Sequence, residues 1–134
     1  VNALGTVKAL EGSARVLALI ESAELGPRET YTLAMMQMAN PETEEATWAW
    51  VKANMPAFLD SIPTQWRRRA PRLGQYFCDT ARIAELDDLF AEYGAQAEGY
   101  ERALAETKES IRLCAALNEA TQRDLEAAFK ASAD

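Results

Sequence analysis

The feature that most constrains the fold is a helical periodicity that runs along nearly the whole chain. The clearest run has apolar residues at spacings of three, three, one and three positions, namely Ile83, Leu86, Leu89, Phe90 and Tyr93. No alternation of apolar and polar residues continues for the length of a strand, and β-branched residues are scattered rather than clustered. The sequence therefore predicts an all-α protein.

Helix start and stop signals divide this pattern into about seven helices joined by short loops. Asn40-Pro41, followed by acidic residues, predicts one helix start, and Asp79 with the following threonine predicts another. Gly94 is the expected C-terminal stop of the second of these helices, and Pro71 is expected to divide a short basic helix from the turn after it. The predicted helical segments are residues 10–22, 27–39, 41–55, 64–69, 80–93, 98–117 and 118–130.

The side chains expected to face inward from these segments include Val16, Leu17, Ile20, Leu33, Met36, Tyr100, Leu104, Ile111, Cys114, Leu125 and Phe129. Glu98 lies four positions before Arg102 and is expected to form a surface pair with it.

The short loops favour antiparallel pairs of successive helices. Such pairs, repeated every 35 to 45 residues along this sequence, resemble an α-solenoid of the HEAT or armadillo kind. The whole chain, residues 1–134, is expected to be a single helical domain fragment with an apolar N-terminal face around Leu4, Val7 and Leu10. Within the fragment, Trp48 is the predicted core tryptophan because it shares a stripe with Val51 and Met55.

Composition excludes several classes of protein. Lys and Arg number 14 and Asp and Glu number 21, so the formal charge of −7 gives no overall attraction to nucleic acid or to an anionic membrane. The longest wholly apolar run, residues 16–20, is too short to cross a bilayer, and no positively charged leader precedes it. A soluble chain is expected, and its start at Val1 suggests processing or excision from a longer protein. Cys78 and Cys114 are expected to be reduced, packed thiols.

The complete absence of histidine removes most hydrolytic chemistry. Neither the zinc motif H-E-x-x-H nor a Ser-His-Asp or Cys-His pair can be built, and the glycines form no phosphate-binding loop. The acidic groups lack the spacing of a calcium loop and are interpreted as solvated helix faces. These groups are Glu42, Glu44, Glu45, Glu85, Asp87 and Asp88.

Four arginines in six positions are the most unusual local feature of this acidic chain. They comprise the run Arg67-Arg68-Arg69 and the nearby Arg72. Their guanidinium groups repel one another and must be hydrated or matched to anions. The run is either a substrate-carboxylate site, since a planar guanidinium pairs with a carboxylate bidentately, or an ordinary charged face paired with neighbouring acids.

The order of several segments resembles the C-terminal helical domain of the zinc aminopeptidases, the family of aminopeptidase N, puromycin-sensitive aminopeptidase and the endoplasmic-reticulum aminopeptidases. The family pattern includes an A-W-x-F-[IV]-K-x-N-W core, an L-x-x-[FL]-F helix and an E-R-x-[LI] helix. The matching segments here are residues 25–30, residues 46–55 (ATWAWVKANM), Phe77 with residues 86–90, and residues 100–104 (YERAL). Met55 replaces the usual second tryptophan of the core pattern, which bears on the subfamily rather than on the fold.

The resemblance implies that this chain is the C-terminal part of a larger zinc aminopeptidase, which removes N-terminal residues from peptides. In that family an upstream catalytic domain holds the zinc, and the helical domain closes over the active-site cavity. This chain alone is then expected to be inert, with no catalytic residue, metal ligand or cofactor of its own. Its expected partners are the parent protein's catalytic domain and the peptide substrate. By position relative to Phe77, Arg69 corresponds best to an arginine that reaches the cavity in some relatives, with Arg68 next.

Two alternatives stay open at this stage. One is an independent helical-repeat adaptor that binds a partner protein in its groove, and the other is a free-standing helical enzyme that uses a carboxylate base. The sequence also leaves open whether the protein works in the cytoplasm or the periplasm.

Overall fold

The fold is all-α, as predicted, in the computed structural model, which describes residues 10–22 and 24–133. Those residues contain no strand and no helix that is both long and apolar enough to cross a membrane. The α-helices are α1 (Leu10–Glu21), α2 (Pro27–Ala39), α3 (Glu44–Ala53), α4 (Met55–Ser61), α5 (Ala81–Tyr93) and α6 (Glu101–Ala133). Two 3₁₀ helices complete the set, namely the arginine segment (Thr64–Gly74) and the short segment (Gly94–Ala97).

The helices pack both on their neighbours in chain order and on more distant elements, and the most extensive contact joins α6 to the arginine segment. Helix α1 contacts α2 and α3, α2 contacts α3, and α6 lies against α5 and the arginine segment. The arginine segment is central, because it also contacts α2, α4, α5 and the short segment. The predicted apolar face at Leu4, Val7 and Leu10 lies outside the described side chains.

Side-chain hydrogen bonds lie in the turns that precede α3 and α5. The Asn40 Oδ1 atom accepts a hydrogen bond from the Glu42 N–H at 3.0 Å. The prediction that this helix begins at Pro41 is wrong, because α3 begins at Glu44. Residues 41–43 form a turn in which the buried Thr43 hydroxyl donates to the carbonyl of residue 37 at 2.7 Å. At α5, the Asp79 carboxylate accepts from the N–H of residue 81 at 2.9 Å, which confirms the predicted start.

The arginine segment is one continuous 3₁₀ helix, whereas two pieces separated by Pro71 were predicted. Proline has no N–H and cannot continue the hydrogen-bond ladder of an α-helix, but here the chain continues through it in 3₁₀ form. The segment buries Ala70, Pro71, Leu73 and Gly74. Arg68, Arg69 and Arg72 are exposed, whereas Arg67 is half-buried. At Gly74 a β-carbon would come within 2.9 Å of the Leu86 Cδ1 atom, so a larger residue there would require the Leu86 side chain to move.

One core runs through the described part of the chain, and Trp48 lies in it as predicted. Trp48 is 1% exposed, whereas Trp50, two positions later on α3, is half-buried. The largest fully buried apolar side chains are Trp48, Phe58, Phe77, Phe90, Leu33, Met38, Met55, Leu59, Leu73, Leu86 and Ile111. Apolar periodicity in the sequence therefore predicts most of the core.

The end of the chain differs from the prediction. One helix of 33 residues, α6, replaces the predicted pair 98–117 and 118–130. Asn118 starts no new helix, since the residues around it are mainly good helix formers and include neither glycine nor proline. Leu125 and Phe129, predicted to pack inward, are 54% and 74% exposed because α6 continues beyond Ile111, its last buried residue.

The two cysteines also differ from the prediction of reduced thiols. Cys78 and Cys114 form a disulfide, with their Cα atoms 4.9 Å apart. The bond joins the loop after the arginine segment to α6, close to the point where α6 leaves the core. Sequence alone could not place these residues side by side, because 36 positions separate them.

Candidate functional site

Three of the four arginines in the arginine segment lie on its exposed side. A 3₁₀ helix has three residues per turn, so Arg69 and Arg72 lie above one another, while Ala70 and Leu73 face the core. Arg68, Arg69 and Arg72 are all exposed. The local fold thus displays these guanidinium groups instead of pairing them in the interior.

These three arginines line one groove together with the start of α6. The groove has a volume of about 330 Å³, and its other lining residues are Gly99, Arg102 and Ala103. Gly99 has a φ of +85°, a left-handed conformation that glycine adopts without strain. The predicted site residues Arg68 and Arg69 are therefore brought together. Sequence reasoning missed Arg102, whose proximity depends on how α6 packs.

Arg72 and Arg102 both contact the carboxylate of Glu106. The Arg72 Nη2 atom lies 3.2 Å from Glu106 Oε2, and the Arg102 Nε atom lies 2.9 Å from Oε1. The sequence spacing predicts a pair between Arg102 and Glu98, but Glu98 precedes α6 and Arg102 pairs with Glu106 instead. The hydrogen bond from Arg102, reinforced by Arg72, lowers the pKa of Glu106 against a smaller opposing effect of desolvation.

Arg69 is held on an aromatic surface beside the groove. Its guanidinium carbon lies 5.7 Å from the centre of the Trp66 ring, and that of Arg28 lies 5.9 Å from the same ring. Tyr31 meets Trp66 edge-on at 5.4 Å and donates a hydrogen bond to the Arg69 carbonyl at 3.4 Å. Burial raises the pKa of Tyr31 even though Arg72 and Arg69 oppose that rise.

Arg68 differs from Arg67, Arg69 and Arg72 because, within residues 10–22 and 24–133, its side chain has neither an ion pair nor a contact with an aromatic ring. Its side chain lies beside Gly99, where a β-carbon would be 3.9 Å from both Cβ and Cδ of Arg68. Arg67 lies outside the groove and approaches Asp60 at 3.8 Å. Of the predicted run, Arg68 is therefore the arginine most available to an incoming anion.

Acidic residues on α3 and α5 form ion pairs between these two helices. Glu85 accepts hydrogen bonds from Lys52 at 2.8 Å and from Arg82 at 2.9 Å, and Arg82 also pairs with Glu45. Arg82 lies 4.8 Å from the centre of the Phe77 ring. The sequence alone indicates that Glu45 and Glu85 are parts of solvated helix faces. In the structure, both carboxylates form ion pairs between α3 and α5.

The ion pairs of Glu85 lead to a testable pH dependence of the protein's stability. Burial raises the pKa of Glu85, but the combined hydrogen bonds and charges of Lys52 and Arg82 outweigh that effect and lower it below its ordinary value of 4.5. Because the pKa of Glu85 is lowered in the folded state, the ionised Glu85 carboxylate stabilises the fold above pH 4.5. This stabilisation is lost as the pH falls through the pKa that Glu85 has in the folded state. We expect the stability difference between wild type and Glu85→Gln, measured by urea unfolding, to shrink below pH 4.5. The exposed control Glu119→Gln should show no such change, and a difference that grows in acid would contradict the assignment.

The groove can bind anions but cannot move protons. Arginine stays protonated in proteins, so it cannot act as a general base, and its planar donors suit carboxylates. The lining residues of the groove include no nucleophile. The arrangement therefore fits recognition of a carboxylate and not bond cleavage.

Comparison with known proteins agrees with the resemblance found in the sequence. The sequence profile of the family described as "ERAP1-like C-terminal domain" matches residues 1–113 of the 134. A search of curated proteins and a search of solved structures found no match. The matched stretch includes the arginine segment, Gly99 and the part of α6 up to residue 113. The chain belongs to the family of ERAP1-like C-terminal domains, which is consistent with the C-terminal domain of the aminopeptidase family that the sequence resembles.

Proposed function

We propose that this chain is the noncatalytic C-terminal domain of a zinc metallo-aminopeptidase, and that it encloses the active-site cavity and contacts the peptide through Arg68 and Arg69. Family membership supports the link to an aminopeptidase. The observation that carries the peptide-binding role is the groove lined by four arginines in a chain of net charge −7. Such a local reversal of charge attracts the anionic groups of a ligand to one face.

The catalytic metal belongs to another part of the parent protein under this proposal. Zinc in peptidases is held mainly by histidine nitrogens and a carboxylate, and none of the 134 residues is histidine. Zinc would supply the activated water in the catalytic domain, and the residues of this chain would orient the peptide. The partners are then the catalytic domain and the peptide substrate.

The gene that encodes this chain provides the first test. We expect an H-E-x-x-H motif upstream in the same reading frame. A reading frame that ends within a few residues of this chain on both sides would overturn the proposal and favour the independent adaptor. That adaptor should form a tight complex in a pull-down that includes no peptidase.

Substitution of the groove arginines provides the kinetic test. In the parent enzyme, Arg68→Ala and Arg69→Ala should each raise KM for peptides by about two- to fivefold and leave kcat nearly unchanged, because an exposed charge contact contributes to binding and not to the chemical step. Arg112→Ala is the matched control, because Arg112 lies on α6 and approaches Glu109 outside the groove. Unchanged kinetics in both groove variants would make the arginine run an ordinary charged face.

A further inference from the structure

Two arginines from distant parts of the chain converge on one carboxylate at the edge of the groove. Arg72 belongs to the arginine segment, and Arg102 and Glu106 lie one turn apart on α6. The distances of 3.2 Å and 2.9 Å join the two guanidinium groups to different oxygens of Glu106. The fold has therefore built a position in which a carboxylate is held between two arginines.

The contacts with Glu106 leave other guanidinium N–H donors of the groove available to a ligand. Each guanidinium carries five N–H donors, and the contacts to Glu106 use one nitrogen of each arginine. Arg68 has no ion pair among the described residues, and Arg69 contacts an aromatic ring instead of an acid. Four guanidinium groups and one carboxylate leave the groove with a local excess of positive charge.

We propose that the groove binds a carboxylate of the peptide substrate and that Glu106 is a built-in competitor, which occupies Arg72 and Arg102 until the ligand displaces it. This inference rests on the proposed function, and it adds the recognised group and a residue that weakens its binding. The incoming carboxylate is first attracted by Arg68 and then shares Arg72 and Arg102. An acidic side chain and the C-terminal carboxylate of a peptide both present this chemistry.

The surroundings of Glu106 allow the exchange. Its side chain and that of Arg72 are each 47% exposed, so water can replace the ligand or the competitor at either step. Exposed ion pairs contribute little to stability, and breaking this pair does not require opening of the core. Glu106 therefore reduces the affinity of the groove without fixing the fold.

A binding titration on this chain tests the competitor. Three acetylated tetrapeptides serve as probes: an alanine peptide with a free C-terminus, an amidated peptide with one aspartate, and an amidated alanine peptide. Binding is followed by NMR through the Nε–H signals of the arginines. At least one carboxylate peptide should bind more tightly than the amidated alanine peptide, and the comparison of the first two probes identifies which carboxylate is preferred. Equal binding of all three would overturn the inference.

Variants of α6 separate competition from a general change in charge. Glu106→Gln should tighten binding of the preferred peptide by about two- to fivefold relative to Glu109→Gln, which removes the same charge three positions away. Arg68→Gln and Arg102→Gln should weaken binding by a similar factor, whereas Arg112→Gln should not. Circular dichroism confirms that each variant is folded.

The outcomes distinguish the inference from the function on which it rests. If Glu106→Gln binds no more tightly than Glu109→Gln, the competitor role is wrong, whatever the kinetics of the parent enzyme show. If Glu106→Gln tightens binding but Arg68→Ala and Arg69→Ala leave the parent enzyme unchanged, the carboxylate site stands and the proposed contact with the substrate fails.

Discussion

Replacement of Trp48 by alanine is expected to lower the free energy of unfolding by about 3 to 5 kcal/mol, the usual range for a large aromatic side chain removed from a core. Trp48 is 1% exposed and meets the Phe77 ring edge-on at 5.3 Å. The Lys52 ammonium group lies 5.7 Å from the centre of the Trp48 ring. The substitution would leave a cavity at the junction of α3 with the loop before α5, and closing it would require both to shift.

Two variants show whether burial causes this effect. Trp50→Ala removes the same side chain from the same helix, but Trp50 is only half-buried and meets Phe58 at the longer distance of 6.2 Å, so its cost should be clearly smaller. Trp48→Phe keeps much of the ring and removes an indole N–H that is buried without a hydrogen-bond partner in the described structure. Its cost should therefore be well below that of alanine. Urea unfolding followed by circular dichroism provides the measurement, and equal losses for Trp48→Ala and Trp50→Ala would contradict this account.

The difference between these tryptophans illustrates what sequence could predict. Trp48 shares a stripe with Val51 and Met55, and a stripe of this kind depends only on positions within one helix. The same local reasoning predicted the all-α class and most of the core. The prediction that Leu125 and Phe129 pack inward was wrong, because these apolar residues continue the helical pattern of α6 beyond the end of the core.

The candidate site was only partly predictable for a related reason. Arg68 and Arg69 are neighbours in sequence, and the concentration of arginines at residues 67–72 of an acidic chain is sufficient to predict them as candidate site residues. Arg102 and Glu106 are unremarkable helix residues until α6 packs on the arginine segment, more than thirty positions away. A periodic pattern reports which face of a helix is buried, but it does not report which polar residues meet across two elements.

The disulfide leads to a second large effect on stability. Replacement of Cys78 or Cys114 by alanine should lower the free energy of unfolding by about 4 kcal/mol, because a cross-link across 36 positions restricts the unfolded chain. The bond also fixes α6 to the loop after the arginine segment. Urea unfolding of oxidised wild type and of each variant measures the loss, and a strong reductant should shift wild type toward the variants.

A double-mutant comparison separates a covalent bond from the packing of two free thiols. If the residues form a disulfide, each single variant already breaks the bond, so the double variant Cys78→Ala/Cys114→Ala should be little less stable than either single one. If the residues are separate thiols, the two single losses should add and the reductant should have no effect. The reduced, packed cysteines expected from the sequence correspond to the second result, and the covalent link between the loop and α6 corresponds to the first.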